Sequence, residues 1–498
     1  MIIAHDLGTT GNKASLHSDD GRTIAHCTIN YPAHFATGGI AEQNPDDWWN
    51  AVAAATKKLL AENNISASDI TGVGLSGQMM GAVLLDSEYL PVRAALIWAD
   101  YRSAPQTKEL LAKIPMAEAY AELGHQLNPT YSITKAMWVR DNEPENWARV
   151  RHICLAKDYV NFKLTGRLAT DPSDASSTNA FDQVNGVWST RILAAARIDA
   201  ALFPEILPST SILGEITNEA SAQTGLLVGT PVVTGGGDGP MAAVGAGIIN
   251  ASDGAYVCLG SSSWVSISAD KPLLDPKMRS MTFNHVVPGK FVPTATMQAG
   301  GASLQWITET LIPENTPDRY KILLSEAAKC NAASEGLFFL PHIMGERSPY
   351  WNPDASGVFV GLAKHHDRGF LVRAVLEGVA FNLLTCIQAL SENGARIKQV
   401  NVIGGGADSE LWLQIFADVW GINVRSRSIV EEANSLGAAV TTLVGLGKAT
   451  FESVKELSHI TAEYQPRAEL HDAYKKQHKI FLSAYSALEP WFPNRVSK

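Results

Sequence analysis

Three glycine-containing segments of the sequence each follow a short apolar run. They are Asp6–Lys13 (DLGTTGNK), Gly235–Gly239 (GGGDG) and Gly404–Ala407 (GGGA). Glycines allow a backbone to approach a large ligand, and nearby N–H groups and hydroxyls can face phosphate oxygens. A carboxylate at such a turn, as at Asp6 or Asp238, can face a phosphate-bound Mg²⁺ or accept the proton of an attacking hydroxyl. Phosphoryl transfer to a hydroxyl group is therefore one chemistry that these segments could support.

Each segment also has a structural interpretation that the residues alone leave open. Asp6 could cap a tight hairpin, Asp238 could be a solvated carboxylate on a turn, and Gly404–Ala407 could simply join a strand to a helix. The first segment is not a Walker loop, since the chain contains no G-x-x-x-x-G-K-[ST], and the third lacks the dinucleotide pattern G-x-G-x-x-G. The elements around the segments therefore matter.

Antiparallel strands open the chain and hold the first segment. Strands are predicted over Ile2–Asp6, Lys13–His17 and Thr23–Tyr31. A helix is predicted over Pro45–Glu62, because Asn44 can cap its N-terminus and Pro45 suits its first position.

Residues 230–300 have dense glycine, short strands and no predicted helix. Strands are predicted over Pro231–Thr234, Ala255–Leu259 and Val265–Ser268. The last two flank a Gly-Ser turn and so repeat the strand, small-residue turn and strand of the N-terminus. This repeat favours two similar domains that present hairpin turns to one ligand, with a linker near residues 240–254.

The C-terminal third is predicted to be rich in helix. Asp367–Glu392 is a long amphipathic segment, and a strand is predicted over Val400–Ile403. The helix that follows has Asp408 or Ser409 as its N-cap. Residues 451–498 are typical of a charged helical tail.

The composition excludes several classes of function. The chain has 498 residues, a formal net charge of -10 and no run of Lys or Arg, so no nucleic-acid partner is expected. Its five cysteines do not fall at C-x-x-C spacing, which argues against a zinc site or a redox motif. No stretch of 18 apolar residues and no basic leader are found, so we expect a cytoplasmic protein without a membrane span.

Beyond the three segments, further motifs follow in a fixed order. The full series is Asp6–Thr10, Gly77–Gly81, Trp98–Asp100, Lys157–Tyr159, Gly235–Asp238, Leu259–Ser262, Gly345–Pro349, Ala374–Val379 and Gly404–Ala407. Over residues 1–445 this order resembles the FGGY carbohydrate kinases, and most closely their xylulokinase branch. The resemblance implies an α/β fold of two ribonuclease-H-like domains of the actin/hexokinase superfamily, flanking a catalytic cleft. It implies a homodimer with a sugar-binding domain, a nucleotide-binding domain and a helical extension over residues 1–245, 246–450 and 451–498.

The resemblance also implies a role for individual residues. Asp238 matches the catalytic base, and Asp6 and Asp238 match carboxylates associated with Mg²⁺. The sugar is expected to contact Gln78, Met79, Met80, Trp98, Asp100, Thr130, Asp238 and Gly239. ATP is expected to contact Thr9, Thr10, Lys13, Ser261, Ser262, Gly301, Gln305, Gly405, Gly406 and Glu410. The implied activity is ATP-dependent phosphorylation of a sugar hydroxyl, on a ketose such as the pentulose xylulose or on a related polyol.

Two positions depart from the xylulokinase pattern. Xylulokinases usually carry histidine where Met80 stands and an amide side chain where Gly239 stands. Replacing two hydrogen-bonding groups should alter which sugar hydroxyls are recognised. The less polar site would suit a deoxy or shorter polyol, or a differently configured ketose.

A nucleotide-gated binding protein or chaperone-like ATPase of the same superfamily fold is the alternative function. Gln78 and Trp98–Asp100 argue against it, because they would have no role there. An oxidoreductase has no supporting fingerprint. Three other features are interpreted as structural: His5 and the pair Trp48-Trp49 as core residues, and Glu346–Arg347 as an ion pair near the domain interface.

Overall fold

The computed structural model describes residues 1–429 and 432–495. The strands β1 to β15 are, in order, Ile2–Leu7, Gly11–His17, Thr23–Asn30, His34–Ala36, Ile40–Gln43, Gly72–Gly77, Val83–Leu85, Ala95–Leu96, His152–Cys154, Ala169–Thr170, Phe181–Asp182, Val187–Trp188, Glu205–Ile206, Ile212–Glu215 and Pro231–Gly237. The strands β16 to β24 are Ala255–Leu259, Ser263–Ile267, Met281–Asn284, Phe291–Met297, Phe338–Leu340, Val358–Val360, Gln399–Ile403, Asn423–Arg427 and Ile460–Tyr464.

Helices cover these strands along the whole chain. The helices α1 to α9 are Pro45–Glu62, Ala104–Lys113, Met116–Leu123, Ser132–Asn142, Pro144–Arg149, Ala156–Thr165, Pro172–Ala175, Thr190–Ala196 and Asn218–Thr224. The helices α10 to α17 are Asp238–Gly245, Gly301–Leu311, Arg319–Ala327, Arg368–Glu392, Glu410–Trp420, Ala433–Gly445, Val454–Leu457 and Ala468–Leu488.

Two large mixed sheets with the same topology organise the molecule. The strand order is β3-β2-β1-β6-β15-β14 in the first sheet. The second sheet has the corresponding order β19-β17-β16-β22-β23-β24, with β18 as an additional strand beside β19. β1 pairs antiparallel with β2 and parallel with β6, and β16 pairs antiparallel with β17 and parallel with β22. This arrangement confirms the predicted α/β fold of two ribonuclease-H-like domains and the repeat between the two hairpins.

Local sequence explains the first hairpin and the helix that covers it. All six residues of β1 are buried, as expected of a central strand in a mixed sheet. α1 begins and ends where the sequence predicts, with the Asn44 side chain accepting a hydrogen bond from the Asp46 N–H at 3.2 Å. Its buried residues, including Trp48 and Val52, pack on the sheet.

The region predicted to lack helix contains α10. This helix begins at Asp238, directly after the glycines that end β15. Gly239 and Pro240 lower the apparent helix propensity, but both lie in the first turn, where N–H groups have no intrahelical acceptor and the cost is small. The predicted linker near residues 240–254 is therefore wrong in its first part, because residues up to Gly245 are helical.

The predicted helical tail contains a strand as well as helices. β24 pairs antiparallel with β23 and forms an edge of the second sheet. Its alternately exposed and half-buried residues include Thr and Glu, so they carry little of the apolar periodicity that identifies a strand. α17 then packs Tyr474, Phe481 and Tyr485 into the core of the second sheet.

α15 connects the two halves of the molecule. In sequence it lies between β23 and β24 of the second sheet, but it packs along α10 and on β1 and β6 of the first sheet. Leu436, Val440 and Leu443 share a buried cluster with Ile2 and Ala4. A layer of the first domain is therefore supplied by the second half of the chain.

Among the described helices, α13 is long and apolar enough to cross a membrane, judged by length and composition alone. Most of it is buried beside the second sheet. Within it Arg373 donates a hydrogen bond to Glu377, from Nε to Oε1 at 2.7 Å. The segment predicted to be amphipathic is thus buried on most sides and serves as a core helix.

Candidate active site

A cavity of about 260 Å³ is lined by residues from both halves of the chain. Its first wall contains Thr9 and five predicted sugar-site residues: Met79, Met80, Trp98, Asp238 and Gly239. Its second wall is formed mainly by Ser262, Trp264, Ser266, Met281, Phe283, Val292, Thr294, Thr296 and Arg347. The cavity is largely apolar and is bordered by both hairpin turns.

Most of the second wall was not predicted from the sequence. Trp264 and Ser266 lie on β17, and Val292, Thr294 and Thr296 lie on β19. Residues at alternate positions share one face of a strand. The alternation is visible in the sequence, but which face meets the cleft depends on how the two sheets are arranged.

Asp238 is the first residue of α10 and lines the cavity. Its backbone is fixed, because the preceding Gly237 N–H donates to Ser173 Oγ at 2.9 Å. Asp238 Oδ1 accepts a hydrogen bond from the Gly239 N–H at 2.8 Å. Burial, and next the negative charge of Asp6, raise the pKa of Asp238 to about 7. The carboxylate is therefore suited to accept a proton near neutral pH.

Asp6 is the penultimate residue of β1, a central strand of the first sheet, and is buried. Its Oδ1 accepts hydrogen bonds from Ser76 Oγ at 2.8 Å and from Asn434 Nδ2 at 3.4 Å. Burial raises the pKa of Asp6, and these hydrogen bonds and the charge of Lys13 offset only part of that effect. Asn434 lies near the start of α15, so side chains from both halves of the chain hold this carboxylate.

The Met80 backbone is held in a left-handed conformation, with φ of 66°. Its N–H donates to Ser177 Oγ at 3.1 Å, and its carbonyl oxygen accepts from Lys135 Nζ at 2.7 Å. Lys135 is fully buried, it also donates to the Thr130 carbonyl oxygen, and burial lowers its pKa to about 7. Lys135 was not predicted as a site residue, because it is one of several polar residues on α4 and matches no catalytic pattern.

Trp98 and Gln78 are connected through the first hairpin turn. Trp98 Nε1 donates to Thr9 Oγ1 at 2.9 Å, and the Thr9 carbonyl oxygen accepts from Gln43 Nε2 at 2.7 Å. Gln78 Nε2 donates to Gln43 Oε1 at 2.7 Å. Gln78 therefore lies behind the cavity wall and supports the turn that carries Thr9.

Two other predicted sugar-site residues also lie outside the cavity lining. Asp100 is buried, where its carboxylate accepts the Ala41 N–H at 2.9 Å and pairs with Arg102 at 2.8 Å. Thr130 Oγ1 donates to Asn128 Oδ1 at 2.9 Å. In this structure both side chains shape the loops around the cavity.

A larger cavity of about 880 Å³ lies on the second sheet. It is lined by six of the predicted ATP contacts: Ser261, Gly301, Gln305, Gly405, Gly406 and Glu410. The Gly301 N–H donates to the Gly260 carbonyl oxygen at 2.8 Å, so the turn that carries Ser261 is joined to the start of α11. Ser262, the next residue of the same turn, faces the smaller cavity.

Thr10 and Lys13 lie on the first hairpin, outside the lining of these two cavities. Lys13 is opposite Asp6 in the β1–β2 register and its side chain is exposed. It borders a small cavity of about 120 Å³ that also contains His26 and Glu432.

Within the described part of the chain, the side chains of Glu346 and Arg347 form no ion pair with each other, so this prediction is wrong. The buried Glu346 carboxylate accepts hydrogen bonds from the Gln298 N–H at 2.8 Å, His342 Nδ1 at 3.0 Å and Asn382 Nδ2 at 2.9 Å. It also accepts the backbone N–H of Arg347 at 3.0 Å, whereas the Arg347 side chain lines the smaller cavity. Neighbouring residues point apart here, so adjacency in sequence was misleading.

His5 and the tryptophan pair are core residues, as the sequence analysis interpreted them. His5 is fully buried, its Nδ1 is hydrogen bonded to Asn12 Nδ2 at 3.1 Å, and burial lowers its pKa to about 4. Trp48 and Trp49 are 1% and 3% exposed. None of the three side chains borders the cavity of about 260 Å³ or the cavity of about 880 Å³.

Paired ribonuclease-H-like domains, with one cavity shared between their hairpins and another beside the second hairpin, define a two-domain protein of the actin/hexokinase type. The arrangement matches known proteins along its whole length. The N-terminal domain of the FGGY family of carbohydrate kinases matches residues 1–245, and the C-terminal domain of that family matches residues 255–446. The chain belongs to the FGGY family, and it is a carbohydrate kinase that phosphorylates a sugar with ATP.

Individual relatives resemble the chain over nearly all of its length. It is 32% identical to the xylulose kinase of Bacillus subtilis (strain 168), over 97% of this chain and 96% of that protein. It is 31% identical to the xylulose kinase of Escherichia coli (strain K12), over 98% and 99%. The crystal structure of xylulose kinase from Rhodospirillum rubrum has a TM-score of 0.91 with 28% identity, covering 99% of both chains.

Proposed function

We propose that Asp238 is the general base of the phosphoryl transfer and that the sugar acceptor is a pentulose or a closely related polyol. The observation that carries the proposal is the carboxylate at the start of α10, which lines the smaller cavity and has a pKa raised to about 7. The similarity to xylulose kinases along the whole chain supports a pentulose.

The transfer needs only one proton acceptor. The Gly239 N–H occupies Asp238 Oδ1, so Oδ2 takes the proton of the acceptor hydroxyl. As that proton leaves, the hydroxyl oxygen bonds to the γ-phosphorus, and the bond from this phosphorus to the β–γ bridging oxygen breaks. The products are the sugar phosphate and ADP.

The larger cavity is the proposed ATP site. The adenosine would lie against the Gly405–Gly406 turn and Glu410, and the turn with Ser261 and Ser262 leads from this cavity to the acceptor. Backbone N–H groups of such a turn can hold phosphate oxygens. Thr9, Thr10 and Lys13 would contact the γ-phosphate from the other hairpin.

Asp6 and Asp238 are the proposed magnesium residues, directly or through water. Mg²⁺ is usually bound by one or two carboxylates together with substrate phosphates. The donor set fits, because two buried or half-buried carboxylates with raised pKa values would both be stabilised by a cation. The described residues contain no cluster of three or more potential metal ligands, so the phosphates would complete the coordination. When bound, magnesium would offset the charge of the triphosphate.

Met80 and Gly239 bear on the identity of the acceptor. Both residues line the cavity. The Met80 side chain has no hydrogen-bond donor and Gly239 has no side chain, so neither can donate a side-chain hydrogen bond to a sugar hydroxyl. Gln78, Asp100 and Thr130 would contribute by shaping the loops or by moving when a sugar binds. We further propose a cytoplasmic homodimer, with domain limits at residues 245 and 450 as the family resemblance implies.

A coupled ADP-release assay tests the proposed function. Pentuloses, hexuloses, pentitols, tetritols and aldonates are screened with Mg-ATP, and we expect ADP release that requires the acceptor. Asp238→Ala should reduce kcat by about 100- to 10,000-fold, the range for loss of a general base. Asp354→Asn, at an exposed carboxylate outside the cavity, is the matched control. Normal turnover by Asp238→Ala would disprove its role, and ATP hydrolysis indifferent to every sugar would favour the ATPase alternative.

A further inference from the structure

Only two charged side chains line the smaller cavity among the described residues, Asp238 and Arg347. Asp238 comes from the first half of the chain and already has a proposed role in proton transfer. Arg347 comes from the segment between β20 and β21 in the second half. Most of the remaining lining is apolar or carries a single hydroxyl.

The guanidinium of Arg347 has no hydrogen bond or ion pair with any residue that the structure describes. Its Nε is buried and has no acceptor within that part of the chain. A guanidinium carries five N–H donors, and a buried donor without an acceptor is costly. An oxygen-rich ligand in the cavity would supply the missing acceptors.

The backbone that carries Arg347 is firmly anchored. Glu346 binds four donors on three separate segments. Ser348 Oγ donates to the Arg279 carbonyl oxygen, and Trp351 Nε1 donates to the Met278 carbonyl oxygen at 2.9 Å. The guanidinium is therefore presented to the cavity by a fixed loop on the second domain.

The charged surroundings of Arg347 differ from those of the proposed base. Its charge lowers the pKa of Tyr131 against the larger opposing effect of burial, and Tyr131 packs with Met281 beside the cavity. The charged group that shifts the pKa of Asp238 is Asp6 instead. Arg347 also lies outside the lining of the ATP cavity. An acceptor with its hydroxyl at Asp238 would share this cavity with the guanidinium, so its other oxygens are the groups that Arg347 could reach.

We propose that Arg347 binds the sugar acceptor by donating paired hydrogen bonds to two neighbouring oxygens other than that of the attacking hydroxyl. This inference rests on the proposed function. The carbonyl and adjacent hydroxyl of a ketose offer such a pair, and so does the carboxylate of a sugar acid. The planar fork of arginine matches both arrangements, which a lysine ammonium cannot reproduce.

Steady-state kinetics of the full chain test the proposal. The acceptor from the screen with the highest kcat/KM is used with wild type, Arg347→Gln, Arg347→Lys and the control Arg396→Gln, an exposed arginine outside the cavity. Arg347→Gln should raise the acceptor KM about 10- to 100-fold, as expected for hydrogen bonds from a charged donor. The KM for ATP should stay at its wild-type value, and Arg347→Lys should recover part of the loss. Arg396→Gln should behave as wild type.

The outcomes separate the inference from the proposed function. If wild type releases ADP with an acceptor but the acceptor KM of Arg347→Gln is unchanged, the inference fails and the kinase proposal stands. A lower kcat with both KM values unchanged would assign Arg347 to the transferring phosphoryl group and would also overturn it. If no acceptor supports ADP release, both fail. Should Arg347→Gln not fold, a raised acceptor KM in Arg347→Lys is the deciding result.

The source of the paired oxygens can be distinguished in the same assay. D-xylulose is neutral and D-gluconate carries a carboxylate, so salt should weaken only the binding of D-gluconate to Arg347. A raised KM in Arg347→Gln for either compound supports the inference. The compound with the larger rise identifies which oxygen pair the guanidinium binds.

Discussion

At the scale of single residues, the site combines two carboxyl groups whose charged forms are both destabilised. Asp6 is buried and its negative charge adds to the burial of Asp238, so that the pKa of Asp238 rises to about 7. The same effect that makes Asp238 a useful base also makes its charged form costly to the folded protein. Function and stability are therefore linked at this position.

The first prediction concerns pH. Acceptor kcat/KM should fall as pH decreases through about 7, because Asp238 must be deprotonated to accept a proton. Lys135 also has a pKa lowered to about 7. A second measurement is therefore needed to show which of the two groups causes the fall in kcat/KM. We therefore compare the unfolding free energies of wild type and Asp238→Asn across the same pH range.

The stability comparison has a defined sign. The pKa of Asp238 in the folded protein is about 7, above its ordinary value of 3.8, so wild type loses stability as pH rises between these values. Asp238→Asn should match wild type near pH 4 and exceed it by about 1–2 kcal/mol at pH 8, after allowance for partial exposure. Equal stability at both pH values would show that Asp238 does not titrate near neutrality.

The family resemblance anticipated part of the cavity lining, whereas residue types alone left it open. Asp238, Met79, Met80 and Trp98 line the smaller cavity, and their contact with a sugar stays a prediction. Arg347 was assigned to an ion pair because an acidic residue precedes it, yet adjacent side chains point in different directions. Lys135 gave no signal, since its hydrogen-bond partners among the described residues are backbone carbonyl oxygens, which no sequence pattern specifies.

At the scale of elements, the contact between α10 and α15 depends on glycine. A Cβ on Gly437 would lie 2.1 Å from the Met241 carbonyl oxygen, and one on Gly245 would lie 1.9 Å from the Ala433 carbonyl oxygen. These distances leave no space for a side chain without moving a helix backbone. The close contact positions α10, whose first residue is Asp238.

Gly437→Ala should therefore lower the free energy of unfolding by about 1–3 kcal/mol, the usual cost of overpacking. Gly239→Ala in α10 is the matched control, because its added Cβ would meet nothing closer than Met79 Sδ at 3.7 Å. The control should be unchanged or more stable by up to about 1 kcal/mol. Urea denaturation measures both values, and equal effects would mean that the helix contact is not tight.

The elements themselves were predictable where capping and apolar periodicity agree. α1 has an N-cap, a proline at its first position and a continuous buried face, and its bounds were predicted. α10 and β24 were missed, because one has Gly-Pro in its first turn and the other is an exposed edge strand. Their presence depends on tertiary packing, which local sequence does not encode.

At the scale of the whole molecule, the two domains share structural layers across the cleft. α15 belongs to the second half of the sequence but buries Leu443 beside Ile2 and Ala4 of the first sheet. Asn434, near its start, donates to Asp6. Large two-domain proteins commonly unfold in separate steps, but here α15 packs on the first sheet and α10 packs against residues of the second.

We therefore expect a single cooperative thermal transition, and two core variants test it. Leu443→Ala removes packing from α15 against the first sheet, and Leu376→Ala removes packing from α13 against the second. Each should cost about 2–5 kcal/mol, and calorimetry should show both variants lowering the same transition. Hydrogen exchange should detect faster exchange in β1 and β16 in both variants. Two resolved transitions, each lowered by only one variant, would show that the domains unfold independently and that α15 does not couple them.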